Sequence, residues 1–168
     1  MAFRIPNRIY HGTGILQLAE IISSGYLEVC DDDDHDDSGV VGASLTTDRD
    51  VAQKFADEAK DRDWQGEWNS PVNDGVVLVF DARSLEKFVS LVSVTWDGSS
   101  AESEIRTRGR IYDPLRFLQS VEADADAIRW WIGELEECGE MELVSALRDA
   151  RLAAIMAVPP DKAMRSRV

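Results

Sequence analysis

The chain has 168 residues. This is the length of about one domain, long enough to bury roughly two-thirds of its unfolded surface without disulfide or metal staples. Hydrophobic residues make up 44% and charged residues 30%, which excludes a wholly disordered, collagenous or coiled-coil chain. Acids number 32 against 18 Lys and Arg, for a net charge of −14. That charge disfavours bulk binding of a phosphate backbone and leaves room only for a local basic site.

In chain order, residues 3–10 predict a short strand with Pro6 at an irregular start. Ile15, Leu18, Ala19 and Ile22 are spaced for a helix over 14–24, closed by Gly25 at the left-handed cap position. Residues 40–46 are strand-like and run into Thr47-Asp48, which offers an N-cap for a helix over 49–60. Val76 to Phe80 is a continuous apolar run, as in a strand buried on both faces. A short helical turn is expected over 84–87, strands over 88–96 and 104–111, and a loop at 97–100. A helix is expected to start at Asp113-Pro114. Residues 122–138 and 140–157 read as two helices divided at Cys138-Gly139, ended by Pro159-Pro160. Strands and helices in this order imply an α+β fold: a split, mixed, mostly antiparallel sheet with flanking helices and a C-terminal helical hairpin.

Cys30 and Cys138 form neither a zinc spacing nor a disulfide framework, so a reduced cytoplasmic protein is expected. The first residues lack an apolar signal-peptide core, and no apolar run approaches the ~18 residues that span a membrane.

Three segments carry residue types suited to chemistry: Ile9-Tyr10-His11-Gly12-Thr13, Gly42-Ala43-Ser44-Leu45-Thr46-Thr47 and Glu102-Ser103-Glu104. Residues i and i+2 of a strand share a face, so Glu102 and Glu104 can reach one pocket. Taken alone, the His is a strand-end residue, the Ser/Thr stretch a helix cap and the two Glu a solvated face. Their order along the chain resembles the ADP-ribosyltransferase superfamily. That family carries a His or Arg on its first strand, a Ser/Thr or Tyr on its second conserved strand and a Glu on a late strand. Tyr10-His11-Gly12-Thr13 is similar to the opening of the diphtheria-toxin and poly-ADP-ribose-polymerase branch. Ser44 within Gly42–Thr46 and Glu102-Ser103-Glu104 are similar to motifs of the branch related to cholera toxin. The resemblance covers residues 8–118.

The resemblance implies NAD as a substrate and no metal. Cleavage of the nicotinamide–ribose bond builds positive charge on the ribose, as in glycoside hydrolysis. A carboxylate beside that ring stabilises the charge. By the resemblance Glu104 meets the ribose and Glu102 serves the acceptor; the spacing of the poly-ADP-ribose-polymerase branch gives the ribose role to Glu102 instead. His11 would orient the adenosine ribose, and the Gly12 backbone would accept close approach of the nicotinamide amide. Thr13 belongs to the same NAD-binding strand, Ser44 would position the Glu or the ribose, and Thr46 is a lesser candidate. Tyr26, Trp64 or Trp68 would stack on nicotinamide. Arg106, Arg108 and Arg110 share a face if one strand carries all three, and read either as partners of the abundant acids or as a pyrophosphate clamp. Arg8 is a further candidate for that clamp.

The run Asp31 to Asp37 with His35 lacks the spacing of a calcium loop and is expected to be a solvated flap near the cofactor. The implied organisation is a catalytic domain over 1–120, a helical extension over 121–158 and a tail over 159–168. The implied activity is transfer of ADP-ribose from NAD to an acceptor. The acidic charge favours a protein side chain over nucleic acid, and the size and charge suit a phage or mobile-element effector. Two other readings stand beside it: an acidic interaction protein that mimics nucleic acid, and a tRNA 2'-phosphotransferase, which the negative charge disfavours.

Overall fold

The computed structural model describes residues 5–27, 43–59, 73–96 and 99–157; over 94–103 it describes the strands but not the side chains. The acidic run at 31–37, Cys30, Trp64, Trp68 and the tail lie outside these residues. The described residues form eight strands: β1 (Arg8–Gly14), β2 (Tyr26–Leu27), β3 (Ser44–Thr46), β4 (Gly75–Asp81), β5 (Leu91–Trp96), β6 (Ser99–Thr107), β7 (Ile111–Tyr112) and β8 (Leu118–Glu122). The helices are α1 (Ile15–Ser24), α2 (Arg49–Asp57), α3 (Ala82–Glu86), α4 (Ala125–Glu137), α5 (Met141–Leu147) and α6 (Ala150–Met156), with a 3₁₀ turn at Pro114–Phe117.

The fold is α+β, as the order of elements implies. Six strands make one sheet in the order β5-β6-β3-β1-β4-β8, and each neighbouring pair is antiparallel. β2 and β7 form a separate two-stranded sheet. β4 is buried from Val76 to Phe80 because both of its faces are covered. On one face Val77 and Val79 meet Ala52 and Ala56 of α2. On the other, Val76, Leu78 and Phe80 join Ile9, Leu45 and Ile105, with α1 and the C-terminal helices closing the core. Trp131 of α4 is fully buried there and donates its indole N–H to Asp74 at 2.9 Å.

Four Asp side chains start helices by accepting backbone N–H groups: Asp48 for α2, Asp81 for α3, Asp124 for α4 and Asp149 for α6. Part of the acidic composition is therefore capping. Gly25 closes α1 at φ +84° and donates to the Ile21 carbonyl, as its position predicts.

Several expected elements are divided. The second C-terminal helix breaks at Arg148-Asp149, because Asp149 caps a new helix, so three helices follow the sheet. The strand expected over 104–111 ends at Thr107, and the chain turns at Gly109 with φ +93°. The helix expected at Asp113-Pro114 is a single 3₁₀ turn leading into β8, a strand whose sequence Leu-Gln-Ser-Val-Glu shows no marked periodicity. Residues 99 and 100, expected in a loop, begin β6. Among the described residues no helix is long and apolar enough to cross a membrane.

Candidate active site

β1, β3 and β6 are adjacent in the sheet, and each contributes one of the three segments. The β3–β6 register sets Ser44 opposite Arg106 and Thr46 opposite Glu104. Side chains of one antiparallel rung share a face, so Ser44, Thr46, Glu104 and Arg106 project from one side of the sheet. Leu45 and Ile105 between them enter the main core.

Ser44 Oγ donates to Glu104 Oε1 at 2.7 Å. Arg106 Nε donates to the same oxygen at 2.9 Å. Glu104 and Arg106 are 8% and 4% exposed, so the ion pair is shielded from solvent on both sides. Glu104 is therefore not on the solvated strand face that its Glu-x-Glu spacing alone suggests. A buried pair costs several kcal/mol to break by removing one partner, because the other charge is left uncompensated.

β1 meets β3 at one register position, Tyr10 opposite Thr46, while it pairs with β4 along its whole length. Past that position the His11 ring reaches β3: its Nδ1 donates to the Ser44 carbonyl at 2.8 Å. A carbonyl can only accept, so Nδ1 carries a proton; in the neutral tautomer this leaves Nε2 as an acceptor. His11, Ser44 and Glu104 thus form a connected chain across three strands. β3 lies between the other two, so the Ser44 strand separates the His11 and Glu102 strands.

The remaining candidates are placed as follows. Gly12 faces α2: a Cβ there would lie 1.9 Å from the Ala52 carbonyl oxygen, so close helix packing already requires glycine. Thr13 is buried opposite Val76. Thr46 Oγ1 accepts from Asp48 N at 3.0 Å, which shapes the entry to α2. Arg8 lies three residues back on β1, and its Nε donates to Gln119 of β8 at 3.1 Å, away from the β3 side. Glu102 lies on β6, which begins at Ser99, so Glu102 and Glu104 sit inside the strand and not at its start; the Glu102 side chain is outside the described residues. Tyr26 is half-buried, with the Arg110 guanidinium 4.3 Å above its ring and Tyr112 at its edge.

The three arginines do not share one strand face. Arg106 is buried against Glu104, whereas Arg108 and Arg110 lie beyond the end of β6 and are exposed. Sequence reasoning gave no role to Thr107, which is fully buried. Its Oγ1 accepts from Ala43 N at 3.0 Å and donates to the Gly109 carbonyl at 2.6 Å, locking the start of β3 to the end of β6. The specific Glu104–Arg106 pairing was also missed, although the two-residue spacing carries the signal. Among the described residues no group of three or more His, Cys, Asp or Glu could hold a metal ion.

The described residues thus form an α+β fold, one six-stranded antiparallel sheet flanked by helices. Among solved structures the chain is similar to DarT of Thermus sp. 2.9 in complex with NAD+, with a TM-score of 0.50 and 12% sequence identity. The match covers 83% of this chain and 93% of that one. At this identity the likeness is one of fold. No protein-family model matches the chain, and no curated protein does.

Proposed function

We propose that this protein is an NAD-dependent ADP-ribosyltransferase. The observation that carries the reading is the hydrogen bond from Ser44 to Glu104, with His11 bonded to the same Ser44 residue. Three residue types that the chemistry needs come from three distant segments and meet on adjacent strands. The likeness in fold to a protein solved with NAD+ supports the same substrate.

In this reading NAD lies across β1 and β3. His11 Nε2 accepts a hydroxyl hydrogen of the adenosine ribose, while Gly12 and Thr13 offer backbone to the nicotinamide amide. The C–N bond to nicotinamide breaks, and its electron pair leaves with nicotinamide. Positive charge develops on the ribose C1' and ring oxygen and is met by the Glu104 carboxylate, which Ser44 orients. An acceptor nucleophile then bonds to C1' and gives its proton to Glu102. Thr46 supports the strand that carries Ser44, and Arg8 would meet the pyrophosphate only by releasing Gln119 on the β8 side. The acceptor is a protein side chain, favoured over nucleic acid by the net charge of −14.

The organisation we propose is a catalytic domain over 1–120, a helical extension over 121–158 and a tail over 159–168, acting in the cytoplasm as a phage or mobile-element effector. The test is incubation with NAD labelled in the adenylate moiety, alone and with a cell lysate. Free nicotinamide together with a labelled protein band is the expected result. Absence of both nicotinamide and label at millimolar NAD removes the reading and favours an acidic interaction protein.

A further inference from the structure

We propose that Arg106 is a positioning residue for Glu104, setting the orientation of the carboxylate that faces the ribose. The inference rests on the reading of Glu104 as that carboxylate. Its basis is the convergence of two donors on one oxygen. Ser44 Oγ reaches Glu104 Oε1 from β3 at 2.7 Å, and Arg106 Nε reaches it along β6 at 2.9 Å. Ser44 stands opposite Arg106, not opposite Glu104. The Glu104 side chain therefore leans one rung along the sheet, a diagonal reach that a long side chain can span. A single hydroxyl donor would let the carboxylate rotate about its last torsion. A second donor from a different direction fixes it.

The donor on Arg106 is Nε, one directional N–H within a rigid planar group, which a lysine ammonium does not reproduce. Burial makes the contact strong: at 4% and 8% exposure the pair is neither hydrated nor screened as a surface pair is. Arg106 thus differs from Arg108 and Arg110, which are exposed and not on the strand. It acts on NAD through Glu104, so its loss should lower turnover without weakening NAD binding.

The experiment is steady-state nicotinamide release by the full chain carrying Arg106→Lys, Arg106→Gln, Glu104→Gln, or Glu104→Gln with Arg106→Gln. Thermal melts define the folded fraction at the assay temperature. The expected result is that kcat per folded molecule falls about 10- to 100-fold for both Arg106 variants, while KM for NAD stays within about threefold. In the Glu104→Gln background, Arg106→Gln is expected to change kcat less than about twofold, because the group it orients is already gone. If Arg106→Gln does not fold, Arg106→Lys, which keeps the charge, carries the test. Wild-type kcat in a variant with a lowered melting temperature overturns the inference and leaves the Glu104 reading standing. So does a raised KM at unchanged kcat, which means that Arg106 contacts NAD itself. If the wild-type protein releases no nicotinamide, the transferase reading and the inference fall together.

Discussion

The two faces of the β3–β6 ladder are built from alternate residues of the same short strands and are held by different forces. Leu45 and Ile105 point into the apolar core, where burial is non-directional and depends on area and packing. Ser44, Glu104 and Arg106 point the other way, where Glu104 and Arg106 are equally shielded but bound by directional contacts of 2.7 and 2.9 Å. Low solvent exposure thus serves two ends on one strand. On one face it stabilises the fold, and on the other it makes a charge pair rigid.

The largest expected effect comes from the polar face. Glu104→Gln should lower nicotinamide release by ~10²–10³-fold, the scale of losing one electrostatic stabiliser. It should also lower stability by about 3–5 kcal/mol, because Arg106 loses its buried counter-charge. Turnover is therefore read per folded molecule, and unchanged turnover would remove Glu104 from the site.

Glu102→Gln sharpens the assignment within the same strand. It should spare NAD hydrolysis and lower transfer to the acceptor by ~10²-fold, the low end for a lost general base. Parallel assays of hydrolysis and transfer check this. Loss of hydrolysis in Glu102→Gln with retention in Glu104→Gln exchanges the two roles.

Ile105→Ala tests the apolar face one residue away. It should cost about 2–5 kcal/mol in urea unfolding. Release of nicotinamide per folded molecule should stay near wild type. A loss of turnover like that of Glu104→Gln would show that the two faces are not separable.

NAD should stabilise the folded chain by ~2.7 kcal/mol at a hundredfold excess over Kd. Thermal shift reads this directly, and no shift at millimolar NAD breaks the link between the polar face and that ligand. The smallest effect is expected at a solvent-exposed ion pair. Arg148 bonds Glu136 across the α4–α5 turn with both side chains in water. Arg148→Ala should cost only about 0.2–1 kcal/mol and leave turnover unchanged, in contrast to the buried pair.

Legibility in the sequence followed the range of the determining forces. The helix at 15–24 with its Gly25 cap, the Asp48 cap and the fully buried β4 strand are set by spacing and capping within a few residues. β8 is not legible in the sequence because five residues, two of them buried, carry too little pattern. The break at Asp149 was missed because the flanking apolar spacing is helical on both sides. His11, Ser44 and Glu104 are nameable as candidates from residue type and order, and the two-residue spacing of Glu104 and Arg106 puts them on one face.

What tertiary structure alone decided is the pairing of strands distant in sequence. The β3–β6 register brings Ser44 within 2.7 Å of Glu104 across sixty residues of chain. The packing of α2 on β1 gives Gly12 a reason that no motif states. Neither is encoded locally, because register and helix approach are set by which faces of distant elements bury each other. By itself the sequence determined the local elements, the acidic surface and the residue types available for chemistry. Only the fold decided that a serine, a glutamate and an arginine from two strands share one oxygen.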